Sequence, residues 1–416
     1  MTLNGKSRRK DVFTLSISRS FPFSCVLILL LGCIVPGAEK FKIAVLPDTQ
    51  ELTLLKNQHM GYSAMGPGMN CFYAQTAWLR SEAARENIVF VTHLGDIWQS
   101  HGSNEAINFQ ALAASAALYV LHGILPYSTI PGNHDYDSNV KAPGFDQTPG
   151  KPHWRPRVID GLKLYGTYFG PESLHFKNEP WYLDSFRIGN SVTTFTAGGY
   201  EFIHIGLEME PDDKVLDWAQ SVVDRHPRKP TIVATHAYMA GWNHDFIREE
   251  PNGYMATHFP EHLIQRQGKL YSYGRLNEYY RYSFPNNTPE QVWEKFICKN
   301  DQIFMVLSGH NFDWASDTGE TLRVDLNEAG HPVYQFCIDY QYRNSLHPES
   351  RSNGGGDGWM RLMEFDIDRG LIQQITYSPA LKKYETDQNS SYAIPVDFQA
   401  RFIPANTISP PPTKRQ

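Results

Sequence analysis

The sequence predicts an α/β protein with parallel strand pairs, because apolar strand-like runs alternate with helix-like segments. The runs at 41–46, 88–92 and 124–130 are short and almost entirely apolar, which is typical of strands buried on both faces of a sheet. Helical patterns lie between them at 70–86 and 104–122. This alternation favours parallel strands joined by crossover helices.

The second half of the chain continues the pattern less regularly. Two apolar runs, 191–196 and 200–207, flank Ala197-Gly198-Gly199, which predicts a hairpin. Further strands are predicted at 231–235, 302–307, 333–342, 360–366 and 371–377, with helices at 212–225 and 290–299.

The sequence divides into three parts by composition. Residues 1–38 are interpreted as a targeting segment, and 39–380 as one large domain. Two long irregular stretches, 136–190 and 237–289, are interpreted as aromatic insertions in that domain. Residues 381–416, which include Pro410-Pro411-Pro412, are predicted to be a weakly ordered tail.

The N-terminal segment has a basic region, an apolar run from Phe21 to Val35, and then Pro36-Gly37-Ala38. This order is typical of a cleaved signal peptide and predicts a secreted or periplasmic protein. Residues 30–33 approximate a lipobox, so a lipoprotein anchored at the membrane through Cys33 is the alternative. An uncleaved anchor is a third interpretation.

The charge balance excludes one class of partner. The chain of 416 residues has a net charge of −6, and beyond residue 38 it carries 33 basic and 43 acidic side chains. Nucleic-acid binding needs clustered basic residues, so no nucleic-acid partner is expected. Cys71, Cys298 and Cys337 are widely spaced and are interpreted as buried thiols with at most one bridge.

Polar clusters follow five of the predicted strands. In chain order they are Asp48-Thr49-Gln50, Gly95-Asp96, Gly132-Asn133-His134-Asp135, His236 and Gly309-His310. Carboxylates, imidazoles and an amide oxygen suit divalent first-row metals. Two such ions that share a carboxylate can clamp a phosphoryl group and ionise a water molecule. His93 also precedes Asp96 closely and is interpreted as a packed residue rather than a ligand.

This series of clusters resembles that of the calcineurin-like metallophosphoesterases. Their pattern is Asp-x-His, Gly-Asp, Gly-Asn-His-Asp/Glu, a lone His and Gly-His-x-His, and the resemblance covers residues 41–380. It implies a two-sheet β-sandwich flanked by helices, in four αββα layers. It also implies one or two divalent metal ions, with Mn, Fe or Zn expected.

The family pattern assigns a role to each matching residue. Asp96 would bridge two metals, Asn133, His236 and His310 would complete the second site, and Asp48 would belong to the first site.

The same pattern makes His134 the catalytic acid. It would contact the phosphate and protonate the leaving group, oriented by Asp135.

Two positions depart from the pattern. Gln50 stands where the family has its first His, and Phe312 stands where it has its last. Both missing imidazoles would bind the first metal, as in a subgroup that begins Pro-Asp-Thr-Gln. Gln50 could supply an amide oxygen to the metal or only a supporting hydrogen bond, and Asn311 or Asp313 could move in. Gln99 replaces the Tyr that purple acid phosphatases place there.

The sequence thus predicts an extracytoplasmic phosphoesterase that hydrolyses a phosphomono- or phosphodiester by attack of a metal-bound hydroxide. Its partner would be a small phosphorylated substrate. The alternative is a non-catalytic metal- or ligand-binding protein on a degenerate phosphoesterase scaffold.

The insertion at 237–289 has two interpretations. It is rich in aromatic residues and arginines, so it is either a cap that contacts the substrate phosphate or a self-packed surface excursion. Its arginines are Arg248, Arg266, Arg275 and Arg281.

Overall fold

A computed structural model describes most of the chain beyond residue 39. The described residues are 40–53, 67–99, 104–137, 161–240, 247–249, 253–276, 286–311, 320–341 and 356–405. The targeting segment, Cys33, Phe312 and Asp313 lie outside these ranges.

Strands make up most of the regular structure. They are β1 (Phe41–Leu46), β2 (Ile88–His93), β3 (Tyr127–Thr129), β4 (Tyr182–Ser185), β5 (Ser191–Ala197), β6 (Tyr200–Leu207), β7 (Thr231–Thr235), β8 (Ile247–Glu249), β9 (Ile264–Arg266), β10 (Lys269–Tyr273), β11 (Ile303–Ser308), β12 (Glu320–Leu326), β13 (Pro332–Ile338), β14 (Met360–Asp366), β15 (Leu371–Ser378), β16 (Lys383–Glu385) and β17 (Ser391–Pro395).

Helices flank the strands. They are α1 (Pro67–Glu82), α2 (Asn104–Tyr119), α3 (Lys163–Phe169), α4 (Asp213–Arg225), α5 (Tyr254–His258), α6 (Pro289–Val292) and α7 (Phe398–Arg401). A π-helical turn, Trp293–Ile297, continues α6. The predicted helix at 70–86 begins three residues earlier and ends at Glu82, so Asn70 lies inside it rather than at its cap.

The strands form two seven-stranded mixed sheets and one small sheet. The first sheet has the order β16-β15-β14-β1-β2-β3, with β17 also paired to β15, and its strands β1, β2 and β3 are parallel. The second has the order β12-β13-β11-β7-β6-β5-β4, and β13, β11, β7 and β6 are parallel. The hairpin predicted around residues 197–199 is confirmed, since Gly198 and Gly199 both have positive φ between β5 and β6, as a tight hairpin turn requires.

The two large sheets pack face to face, and helices cover their outer faces. Ile43 and Val45 of β1 share a core with Phe202 of β6, whereas the alternate residues Ala44 and Leu46 face the helices α1 and α2. Strand side chains point alternately to opposite faces, so an all-apolar strand is buried on both. Each fully buried side chain of this size contributes about 1.5–3 kcal/mol. The α/β four-layer architecture predicted from the resemblance is confirmed.

The C-terminal segment corrects a prediction. Residues 381–405 are not a weakly ordered tail, because β17 pairs with β15 and α7 follows it. Ile394, Phe398 and Phe402 are buried in the core between the sheets. Residues 406–416 of the predicted tail lie outside the described part.

The insertion predicted at 136–190 is also more regular than expected. Its described residues include α3 and β4, and Tyr165 and Phe169 of α3 are buried against the first sheet.

Two further features bear on the sequence predictions. Cys71, Cys298 and Cys337 are free thiols; Cys71 and Cys337 are buried as predicted, and Cys298 is partly exposed. Among the helices of the described ranges, none has the length and apolar character needed to cross a membrane.

Candidate metal centre

Six strand ends meet at one edge of the sandwich. The first sheet contributes the ends of β1, β2 and β3, which lead to Asp48, Asp96 and Asn133. The second sheet contributes the ends of β7, β11 and β13, of which the first two lead to His236 and His310. Because the carboxyl ends of parallel strands share an edge, these side chains converge there.

Four of the predicted ligands come together around the Nε2 atom of His236. That atom lies 3.3 Å from Asp96 Oδ1, 3.2 Å from Asn133 Oδ1 and 3.1 Å from His310 Nδ1. Metal bonds of about 2.0–2.2 Å place neighbouring ligand atoms roughly 3.0–3.5 Å apart. The donor set and its spacing therefore fit a divalent metal ion.

The ring of His236 is oriented for this purpose. Its Nδ1 lies 2.7 Å from the carbonyl oxygen of Leu94, and a carbonyl can only accept a hydrogen bond. Nδ1 therefore donates, and in the neutral ring Nε2 presents its lone pair to the other ligands. A backbone acceptor on the far nitrogen is the usual support of a metal-binding histidine.

Gln50 contacts Asp96 Oδ2, the oxygen that is not the one near His236 Nε2, and Asp48 Oδ1 lies 3.9 Å from His236 Nδ1. The carboxylate of Asp48 accepts hydrogen bonds from the backbone N–H of His310 at 3.0 and 3.2 Å. Gln50 Nε2 donates to Asp96 Oδ2 at 3.1 Å and to Gln341 Oε1. The buried carbonyl oxygen of Gln50 has no hydrogen-bond partner in the described structure, so it is available to a cation.

Asp339, which the sequence prediction missed, lies directly after β13 in the same region. It is fully buried, and its Oδ1 accepts a hydrogen bond of 2.9 Å from the backbone N–H of Gln341. Asp339-Tyr340-Gln341 repeats the Asp-x-Gln pattern of Asp48-Thr49-Gln50 after a second apolar strand. That repetition is the signal from which Asp339 could have been found.

Charge is concentrated at this edge. Burial raises the pKa of Asp48 well above its usual value, and the charges of Asp339 and Asp96 raise it further. Burial also raises the pKa of Asp339. For Asp96, burial by itself would raise the pKa, but the imidazoles of His236, His134 and His310 lower it below the usual range. Buried carboxylates in this number need a compensating cation to stay ionised at neutral pH.

His134 lies beside the metal ligands with part of its side chain exposed. Its Nδ1 is 2.9 Å from the carbonyl oxygen of Gln99, and its Nε2 is 3.9 Å from Asp96 Oδ2. Nδ1 therefore donates to Gln99, and Nε2 is the nitrogen that faces the site. The position suits proton donation to a group bound at the metals.

The contacts of Asp135 correct one prediction. Its carboxylate accepts hydrogen bonds from the backbone N–H groups of Gly132, Ile97 and Trp98, whereas the Gln99 carbonyl orients the ring of His134. Asp135 instead fixes the loop after β2 to the loop after β3, and these loops carry Asp96 and His134.

Close packing at the strand ends explains two glycines. A Cβ atom on Gly132 would lie 2.1 Å from Asp96 Oδ1, and one on Gly309 would lie 2.0 Å from Asp48 Oδ2. Asp48, Asp96 and His310 also have positive φ angles of 39°, 51° and 71°. Strained backbone of this kind clusters at functional sites.

His93 is a packed residue, as predicted. Its Nδ1 accepts from the backbone N–H of Gly95, and its Nε2 is 2.9 Å from Thr49 Oγ1, whose hydroxyl donates to the Ile97 carbonyl. Both ring nitrogens are therefore used within the fold. Burial, together with the charge of His236, lowers the pKa of His93 to about 3.

The described part of the insertion at 237–289 favours the self-packed interpretation. It forms the small sheet β8-β10-β9, and Met255 and Phe259 are buried in the core between the sheets. Arg275 is buried in ion pairs with Glu290 and Asp325, so it is a structural residue. Arg281 lies outside the described residues.

Comparison with known families shows the family to which this chain belongs. The family model of the calcineurin-like phosphoesterases matches residues 41–313.

The chain belongs to the calcineurin-like phosphoesterase family. Its members are phosphoesterases that use divalent metal ions. The resemblance noted in the sequence is confirmed.

Individual relatives are distant. Bacillus subtilis (strain 168) protein YvnB is 24% identical over 349 residues, which are 81% of this chain and 21% of that protein. The chain thus spans about a fifth of the length of this curated relative.

Solved structures that resemble the chain are equally remote. A dimetal phosphatase from Danio rerio has a TM-score of 0.40 at 10% identity, with 85% of this chain and 98% of that chain covered. GAP50, the anchor in the inner membrane complex of Plasmodium, has a TM-score of 0.40 at 11% identity, with 86% and 88% covered. The NAD nucleotidase of Haemophilus influenzae has a TM-score of 0.37 at 11% identity, with 86% and 51% covered.

Proposed function

We propose that the protein hydrolyses a phosphomonoester or phosphodiester outside the cytoplasm, with His134 as general acid beside two divalent cations. The observation that carries the proposal is the convergence of Asp96 Oδ1, Asn133 Oδ1 and His310 Nδ1 on His236 Nε2, next to the ring of His134. Oxygen and nitrogen ligands beside a proton donor are what phosphoester hydrolysis requires.

Asp96 has a central position in the proposed mechanism. Asp96 lies between the two groups of ligands, because its Oδ1 is near His236 and its Oδ2 accepts from Gln50. Divalent cations bound there would neutralise charge on the phosphoryl oxygens and lower the pKa of a water molecule. The backbone N–H of His134 donates to Asp96 Oδ1 at 2.8 Å, which fixes that carboxylate relative to the acid.

His134 moves the proton. With Nδ1 donating to the Gln99 carbonyl, protonated Nε2 is directed at the leaving group and donates its proton to the departing oxygen. Part of the His134 side chain is exposed, whereas Asp96 and His236 are buried. The acid thus lies where a substrate can reach it, and the ligands lie beneath.

The location outside the cytoplasm is supported by the N-terminal sequence alone. The basic region, the apolar run from Phe21 to Val35 and Pro36-Gly37-Ala38 favour a cleaved signal peptide, and Cys33 favours a lipid anchor as the alternative. Mass spectrometry of the mature N-terminus after cell fractionation tests this. A start after Gly37 or Ala38 supports secretion, a lipid-modified Cys33 supports anchoring, and an intact N-terminus in the cytosol contradicts both.

The enzymatic proposal is tested by metal reconstitution. The purified protein is loaded separately with Mn²⁺, Fe²⁺, Zn²⁺, Ni²⁺ and Co²⁺ and assayed on 4-nitrophenyl phosphate and bis(4-nitrophenyl) phosphate. Turnover that depends on metal, with two equivalents bound, is the expected result. Absence of turnover with each of Mn, Zn, Fe, Ni and Co would contradict the proposal.

A further inference from the structure

The first metal position lacks both of the imidazoles that the family pattern places there, since Gln50 and Phe312 occupy those positions in the sequence. Loss of two ligands would leave Asp48 and the shared Asp96. The described structure contains other buried oxygen atoms in this region, and two matching Asp-x-Gln segments contribute several of them.

The two segments face each other across the sandwich. Asp48-Thr49-Gln50 follows β1 of the first sheet, and Asp339-Tyr340-Gln341 follows β13 of the second. Gln50 Nε2 donates to Gln341 Oε1, and the backbone N–H of Gln341 donates to Asp339 Oδ1 at 2.9 Å. A continuous series of hydrogen bonds thus connects Asp96, through both glutamines, to Asp339.

This network fixes the orientation of the Gln50 amide. Nε2 lies between two oxygen acceptors, Asp96 Oδ2 and Gln341 Oε1, so exchanging the amide nitrogen and oxygen would bring oxygen against oxygen. The carbonyl oxygen of Gln50 must therefore point elsewhere.

Two buried acceptors remain in this network. Neither Gln50 Oε1 nor Asp339 Oδ2 has a hydrogen-bond partner in the described structure, although Gln50 is 1% exposed and Asp339 is fully buried. A buried oxygen without a donor is costly unless something positive satisfies it. Asp339 is also close enough to Asp48 for its charge to influence that carboxyl group.

We propose that Asp339 is a ligand of the first metal ion, and that Gln341 is a positioning residue that aims the carbonyl oxygen of Gln50 at the same ion. The inference rests on the proposed two-metal site and deepens it. Asp339 and Gln50 together replace the two absent imidazoles.

The replacement changes the chemistry of the first position. Its ligands are oxygen atoms of Asp48, Asp96, Asp339 and Gln50, without an imidazole from the described residues. Carboxylate and amide oxygens suit hard cations such as Mn²⁺, whereas imidazoles suit Zn²⁺ and iron. The ligands of the first position therefore suit Mn²⁺, which serves as the probe below.

The test counts Mn²⁺ sites in the full chain, by titration calorimetry and by electron paramagnetic resonance. Wild type should bind two Mn²⁺ ions. Asp339→Asn, which keeps the size of the side chain, should retain one site and weaken the other by about 100-fold or more, beyond the roughly 10–100-fold expected for loss of a supporting residue. Asp339→Ser is the second variant, and circular dichroism verifies that each variant is folded.

The matched control is Asp325→Asn. Asp325 is a partly buried carboxylate on β12, near the other end of the β12–β13 hairpin, where it pairs with Arg275 and Arg323. Its substitution should lower thermal stability and leave two Mn²⁺ sites.

The role of Gln341 has its own readout. Gln341→Leu removes the acceptor for Gln50 and should weaken the first site by about 10-fold. Gln341→Glu keeps an acceptor oxygen and should restore the affinity, which a purely structural role would not require.

The outcomes separate this inference from the function itself. Two unchanged Mn²⁺ sites in folded Asp339→Asn would overturn the inference and leave the proposed function intact. A wild-type protein that turns over 4-nitrophenyl phosphate with a single bound Mn²⁺ would overturn the inference and the second metal of the proposal, and would leave metal-dependent hydrolysis intact. A protein that binds no metal and has no turnover would overturn both.

Discussion

The two halves of the metal centre differ in the atoms that they present. One half has the amide of Asn133 and the imidazoles of His236 and His310, while the other has Asp48 and Gln50 and lies near Asp339. Both halves are built at the same edge of the same sandwich and share Asp96. The chemistry of a site on this fold is therefore set by single residues at strand ends. The same strands can carry imidazole ligands in one half and carboxylate ligands in the other.

The difference also has an energetic side. Imidazoles around Asp96 lower the pKa of that carboxyl group, whereas Asp48 lies among other carboxylates and has a raised pKa. The half around His236 thus favours the ionised form of Asp96. In the half around Asp48, a bound cation would favour the ionised form of carboxyl groups that burial and mutual repulsion otherwise disfavour.

Asp96→Asn removes the residue that the halves share, and we expect the largest effect. The kcat/KM for 4-nitrophenyl phosphate should fall on the order of 10⁴-fold, as for other central catalytic groups, and both metal sites should weaken. Inductively coupled plasma mass spectrometry measures the metal content. Asp366→Asn is the control. Asp366 lies at the end of β14 that is away from the metal centre, so the kcat/KM and metal content of this variant should be near those of wild type. Wild-type metal content in Asp96→Asn would contradict the shared role.

His134→Ala tests whether His134 donates a proton to the leaving group without taking part in metal binding in either half. The kcat for an alkyl phosphate should fall by about 10²–10⁴-fold, because its alkoxide leaving group needs the proton. The loss on 4-nitrophenyl phosphate should be much smaller, and metal content should be unchanged. The measurement is a comparison of kcat across leaving groups, with His226→Ala after α4 as control. Equal losses on good and poor leaving groups would eliminate the general-acid role.

Graded chelation compares the two halves directly. Because the half around Asp48 offers oxygen ligands and the other offers imidazoles, a mild chelator should remove one equivalent of metal first. Activity should then fall by about 10–100-fold with one equivalent still bound, and Mn²⁺ should restore it. Simultaneous loss of both equivalents would show that the halves do not differ in affinity.

His204→Leu has the smallest expected effect and concerns an imidazole outside both halves. Burial lowers the pKa of His204 to about 3, so below pH 6.5 the unfolded chain binds a proton that the folded chain does not. Wild type should therefore lose about 1.4 kcal/mol more per pH unit than the variant as pH falls from 6.5 towards 4. Urea denaturation at several pH values measures this, and phosphatase activity should not change.

Equal phosphatase activity of wild type and His204→Leu is the control for this comparison of stabilities. Other groups with shifted pKa values are common to both proteins, so they cancel in the difference. Parallel pH profiles of stability for wild type and His204→Leu would mean that His204 is protonated in the folded protein.

Much of the fold and half of the site could be predicted from the sequence, because their signals are local. The strand β1 is apolar on both faces and is followed at once by Asp48, and the Gly198-Gly199 turn sets the pairing of its two strands. Asn133 and His236 could be assigned because each is part of a series of clusters in a fixed order.

Asp339 could not be predicted in that way. Its place beside the metal centre depends on the pairing of β13 with β11, in which Cys337 lies opposite Ser308, and such a pairing is not visible in a local pattern. A single Asp-x-Gln after a strand also carries little information until the first segment of the same kind is known to lie nearby.

Long-range contacts explain the other corrections as well. The role of Asp135 depends on the backbone N–H groups of Ile97 and Trp98, about forty positions away in the chain. The proline run at 410–412 led to the prediction of a weakly ordered tail, but β17 pairs with β15 in the first sheet, and Phe398 is buried in the core.

Aromatic packing at the far edge of the sandwich has a mechanical consequence. Phe41, Phe202, Phe365 and Phe398 contact one another where the parallel strands begin, and this contact closes the sandwich independently of any ion. Aromatic side chains thus connect the two sheets at this edge, whereas metal ions bound at the opposite edge would connect them only while the ions are present. Amide hydrogen exchange in chelated protein should accelerate at the strand tips near Asp48 and His310, while the amides around Phe202 stay protected.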